Sequence, residues 1–146
     1  MRKIIYWAVG TAVLLGGTPL PAHAGTSRAP AQIVDTHRCT DRGDYCIIVQ
    51  YNTSTRRVPL IIAHKVSGVK NHTYWARWSH KKPGHGTQTS GWKKSTWTGD
   101  NGRAPGIAVE TLWGKKGRSG GPKLPKGTLL CTQFKGSAPK ACYVLG

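Results

Sequence analysis

The sequence predicts an all-β domain, a small sandwich or barrel of about six or seven short strands held by two local disulfides. Three observations carry that expectation. Short β-branched and aromatic runs recur, as in YCIIVQY at 45–51 and VPLIIAHK at 58–65, each bounded by turn-forming residues. Beyond residue 24 no stretch keeps a 3.6-residue apolar period long enough for a helix. Four cysteines remain there, an even number in a chain that reads as exported.

The export reading comes from the first residues. Arg2 and Lys3 form a charged n-region, Ile4 to Gly17 an uncharged apolar run, and Ala22-His23-Ala24 a small-residue cleavage site. The apolar run falls short of the ~20 residues a spanning helix needs, and Pro19 and Pro21 follow it. The expected organisation is a signal peptide over 1–24, a flexible tail over 25–32 and one disulfide-stabilised β domain over 33–146, secreted and without an integral membrane segment after cleavage.

Charge is the other dominant feature. The whole chain carries 22 Lys and Arg against 5 Asp and Glu; without Arg2 and Lys3 the balance is 20 − 5, or +15. Such an excess opposes compaction through self-repulsion and attracts any polyanion nearby.

In chain order, GTSRAPAQ at 25–32 is small, polar and proline-bearing, and order is expected from Ile33. Cys39 opens a loop, TDRGDY, whose Asp41 and Asp44 suit Asx turns; two acids are too few for the six to eight ligands of calcium. Residues 45–51 and 58–65 form a hairpin across NTSTRR, with Pro59 suiting a strand start or a sheet edge. In TYWARWS at 73–79, alternation places Tyr74, Ala76 and Trp78 on one face and Trp75 and Arg77 on the other.

HKKPGHGTQTS at 80–90 reads as a loop, WKKSTW at 92–97 as a short strand, and TGDNG at 98–102 as a turn. IAVETLW at 107–113 alternates strictly and is too short, between glycines and a proline, for a helix. GKKGRSGGPKLPKG at 114–127 reads as a long loop, mobile or lying against a partner. Residues 128–134 and 141–145 form a final hairpin. Of the three pairings open to four cysteines, spacing favours Cys39 with Cys46 and Cys131 with Cys142, each closing a short segment rich in turn residues. No metal site or cofactor is expected, because no cysteine pair has zinc-knuckle spacing and the histidines are scattered. Asn52 and Asn71 head glycosylation sequons.

The stretch from Asn71 to Trp97 holds four tryptophans and a tyrosine among cations and no acid. Exposed indoles stack on sugars or bases or settle at a lipid interface, and interleaved cations attract phosphate or carboxylate. The leading expectation is therefore a non-enzymatic protein that binds an anionic polymer or surface, whether cell-wall polysaccharide, anionic lipid or nucleic acid, in an antimicrobial or toxin-like role. Its residues are Trp75, Arg77, Trp78, Trp92, Lys93, Lys94 and Trp97, with Lys115, Lys116 and Arg118 as a second basic contact.

Two other readings compete. A metal-independent ribonuclease would use Glu110, the sole glutamate, with His64, His72, His80 or His85 as acid, His64 and His85 foremost, and Arg103 or a lysine on the phosphate. An enzyme inhibitor would present the 114–127 loop. Serine chemistry and phosphate-loop chemistry are excluded: Ser119 lacks a nucleophile elbow, and GKKGRSGG lacks the P-loop order.

Overall fold

The structure is a computed structural model that describes residues 32–70, 72–98, 108–117 and 119–146. The signal peptide and most of the tail, with Asn71, Arg103, Ile107 and Arg118, lie outside those residues. Along the described residues run β1 (Ile33–Cys39), β2 (Tyr45–Asn52), β3 (Arg57–Lys65), β4 (Trp75–Lys81), β5 (Thr87–Thr89), β6 (Lys93–Lys94), β7 (Thr96–Thr98), β8 (Ala108–Gly114), β9 (Leu129–Phe134) and β10 (Ala141–Val144). They form two antiparallel sheets: sheet A in the order β1-β2-β3-β8-β7, and sheet B in the order β10-β9-β4-β5, with β6 also on β4. The all-β class is as the sequence predicts, with more strands than expected.

The additional strands have identifiable causes. Residues 33–39 look like an approach to a loop because they mix polar and charged side chains. They nonetheless pair with β2 from Ile33 opposite Asn52 to Cys39 opposite Cys46. An edge strand needs only its ladder and one half-buried side, here Val34 and Thr36, so weak propensity is overridden by tertiary context. Residues 92–97 split in two at Ser95, and β5 arises from the segment expected to be loop throughout.

Alternation builds the core. Ile47, Val49 and Tyr51 of β2 and Ile61 of β3 face Leu130 of β9 and Ala141 of β10 in one buried cluster. Ala63, Ala76, Val109 and Phe134 make a second, and Trp113 packs against both. Burying each large side chain contributes roughly 1.5–3 kcal/mol. Pro59 is not on an edge, since β3 lies between β2 and β8. It is tolerated because the β2–β3 register shifts between Gln50 and Asn52, so its missing N–H falls at the irregularity.

Both bridges join residues directly opposite one another in a ladder, Cys39 with Cys46 and Cys142 with Cys131. With sequence separations of 7 and 11, each contributes about 2–3 kcal/mol by loop entropy. They pin the same end of the sandwich, where Cys39, Cys142 and Pro139 line one depression.

The 114–127 segment is a strap against its own sheet rather than a free loop. Lys115 N–H donates to Pro59 O at 3.0 Å, Val58 N–H to Pro122 O at 3.0 Å and Leu124 N–H to Arg56 O at 2.8 Å. Gly117 N–H donates to Gln50 Oε1 at 3.0 Å, and Arg57 Nη1 to Gly121 O at 2.8 Å. Gly121, at φ +90°, passes so close to β3 that a Cβ there would run into the Val58 carbonyl. Leu124 ends the strap as a plug, 1 % exposed among Tyr51, Val58 and Leu145.

Leu124→Ala should accordingly lower unfolding stability by about 2–5 kcal/mol in a denaturant titration. A free tether would give no change.

A pH effect follows from His80, which stacks on Trp78 with centroids 5.3 Å apart. Burial, then the Lys82 charge, lowers its pKa from 6.5. The unfolded chain therefore binds this proton more readily than the fold. Stability should be full above pH 6.5 and decline as pH falls through the lowered folded value, and His80→Gln should flatten thermal melting midpoints across that window.

Candidate functional site

The site is made by β4. Ala76 is fully buried and Trp78 packs against the core, so alternation turns Trp75 and Arg77 to the outer face of sheet B. There Trp75 stands opposite Lys94, and Arg77 opposite Gln133. One step beyond β6, Trp92 comes under Arg77, whose guanidinium carbon lies 4.5 Å from the ring centroid. The face is thus a checkerboard: Lys94 and Trp75 in one row, Trp92, Arg77 and Gln133 in the next. Lys135 joins the first row, its N–H donating to Trp75 O at 2.8 Å.

Arg77 is held, not loose. Its Nε and Nη2 donate to Gln133 Oε1 at 3.3 and 3.0 Å, and Gln133 Nε2 donates to Ser137 O at 3.0 Å. That chain fixes the guanidinium plane over Trp92 and leaves further N–H donors for an incoming anion.

The sequence-derived binding set divides. Trp75, Arg77, Trp92 and Lys94 share the outer face of sheet B. Trp78 does not; it faces inward against the core. Trp97 lies on β7 of sheet A and meets Tyr74 edge-on at 6.2 Å. The divide falls at Ser95, where the chain crosses between sheets: its N–H donates to Tyr74 O at 2.9 Å and its hydroxyl meets Thr111 Oγ1 at 2.7 Å. Lys93 reaches across the same gap to Leu112 O at 2.6 Å. Lys115 and Lys116 sit where the strap leaves β8, apart from this face. Gln133 and Lys135 were missed, because only the β4–β9 register brings them to residues more than fifty positions earlier.

Exposure follows the same partition. Trp75, Trp92 and Trp97 are 41, 37 and 40 % exposed, while Trp78 and Trp113 pack against the core. Beside Trp97 a recess of about 270 Å³ is lined by His72, Tyr74, Lys94 and Val109.

The charge is equally divided. No Asp or Glu occurs in 72–98 or 119–146, the segments that supply sheet B. The acids at Asp35, Asp41, Asp44 and Glu110 lie on β1, the β1–β2 turn and β8. Among the described residues the one close approach of a basic side chain to a carboxylate is His64 Nε2 to Glu110 Oε1 at 3.7 Å. Among the described residues, no lysine or arginine of sheet B has a carboxylate within ion-pair distance.

His64 and Glu110 are cross-strand partners on the outer face of sheet A. The positions around them, Cys46 and Thr96 across the strands and Ile62 and Leu112 along them, are uncharged; the nearest cation the hydrogen bonds place is Lys93, at the Leu112 carbonyl, and Arg103 lies outside the described residues. His85 belongs to the β4–β5 turn of sheet B and is not brought to them.

The fold and the face define a two-sheet, disulfide-pinned β protein with one acid-free, aromatic and cationic sheet. No family model, curated protein or solved structure gives a significant match to the chain.

Cations beside exposed indoles predict unequal quenching. Iodide should quench tryptophan emission at low salt more strongly than caesium, and the difference should shrink as salt screens the field. Equal quenching by the two ions would contradict the charge partition.

Proposed function

We propose that this is an exported, non-enzymatic protein that binds an anionic polymer or surface through the outer face of sheet B. The observation that carries the reading is the Trp75, Lys94, Arg77 and Trp92 checkerboard on a sheet whose segments contain no acid. Cations with no carboxylate partner among the described residues supply long-range attraction and release counterions from the polymer. Exposed rings between them add contact that survives once the charges have met. Two bridges suit an oxidising compartment, and among the described residues no helix is long and apolar enough to cross a membrane. Binding at a competitor's envelope would make the protein antimicrobial or toxin-like.

The ribonuclease reading keeps one observation in its favour, the approach of His64 to Glu110. RNA cleavage that Glu110→Gln abolishes would replace the binding reading with that one. Presentation of 114–127 to an enzyme has less support, because the strap's backbone is hydrogen-bonded to β3 and its leucine is buried.

The test is a salt titration of binding to a polyanion such as heparin. Affinity should fall steeply with salt, and the triple variant Arg77→Ala, Lys94→Ala, Lys135→Ala should flatten the log–log slope by about 2–3. Lys115→Ala with Lys116→Ala should change it less. Affinity indifferent to salt, or to the triple variant, would sink the proposal.

A further inference from the structure

Resting on that reading, we infer that the polymer is a single-stranded nucleic acid, with one base stacked on Trp75, the next on the Arg77 guanidinium that covers Trp92, and phosphates on Lys94 and Lys135. The argument starts from spacing. Trp75 is opposite Lys94 in the β4–β6 ladder, so Trp92 is its diagonal neighbour. Diagonal neighbours on one sheet face stand about 7–8 Å apart. That is about twice the 3.4 Å per nucleotide of a stacked strand, so a strand with splayed bases can lay one on Trp75 and one on the Arg77–Trp92 pair.

The cations border the two platforms. Lys94 and Lys135 flank Trp75 across the strands, and Arg77 is its next same-face neighbour on β4. The guanidinium is already stacked on Trp92 and held at one edge by Gln133. It enters the complex with little conformational freedom left to lose, and its plane offers a second stacking surface.

The other anionic ligands fit this face less well. Sugar hydroxyls need acceptors as well as a ring to lie on. The segments of sheet B hold no carboxylate, and Gln133 Oε1 is already engaged by Arg77. A lipid surface is entered by rings that sink past the headgroups, whereas Trp92 is held under the Arg77 guanidinium. A duplex hides its base faces in the stack, so exposed indoles would add nothing to its binding.

The full chain should be titrated at one salt concentration with a 20-nucleotide polythymidine, an abasic phosphodiester of equal length and charge, a 20-base-pair duplex and an anionic polysaccharide. Polythymidine should bind about tenfold or more tighter than the abasic strand, with quenching of tryptophan emission. Trp75→Ala with Trp92→Ala should erase that preference, bringing polythymidine and abasic strand to equal affinity, while the corresponding Phe variants keep part of it. Unchanged thermal melting of the variants establishes that they are folded.

Equal binding of polythymidine and abasic strand, or tighter binding of duplex or polysaccharide, would overturn base stacking and leave the polyanion reading standing. Binding of none of the four at low salt would overturn both.

Discussion

The site depends on the burial of one small side chain. Ala76 is sealed between the sheets, and because a strand's side chains alternate, its neighbours Trp75 and Arg77 have no route inward. Trp78, on the same side as Ala76, is taken into the core and stacks on His80. A one-residue slip of β4 would reverse every assignment, burying an arginine and presenting a different indole. The six-pair ladder with β9, from Ala76 opposite Phe134 to Lys81 opposite Leu129, fixes the register against that slip. The same ladder delivers Gln133 to Arg77, so the contact that orients the cation and the one that seals the core share an origin.

Charge and covalent structure complement one another. A domain whose positive charge is largely unpaired works against its own compaction. Two cross-strand bridges at one end lower the entropy of the unfolded chain, and the buried clusters supply the rest. The four acids among the described residues lie on β1, the β1–β2 turn and β8, where Asp44 meets the Ser67 hydroxyl and Glu110 meets His64. None of these four pairs with a cation of sheet B. The molecule therefore has an electrostatic direction, with its attraction for anions strongest where its exposed rings are densest.

The strap over β3 shows how composition misleads. Glycine, proline and lysine over 114–127 look like a mobile loop, yet two of those glycines allow the backbone to lie against β3 where a Cβ would collide. Such a close approach satisfies the hydrogen-bonding groups of both chains and lets Leu124 plug the core. A sequence pattern carries no record of which backbone a glycine makes room for.

Local chemistry was legible in the sequence. β-branched runs between turn residues marked the long strands, and short cysteine spacings favoured the two pairings that the structure contains. The alternation in 74–78 placed Trp75 and Arg77 together and Trp78 apart from them. What tertiary structure alone decided was which sheet each part of the aromatic stretch joins. The crossing at Ser95 sends Trp92 to sheet B and Trp97 to sheet A, although only four residues separate them. The reason is physical: strand periodicity reports the face a side chain takes, whereas ladder partners such as Gln133 are chosen by backbone hydrogen bonds between segments far apart in the chain, and those leave no local trace.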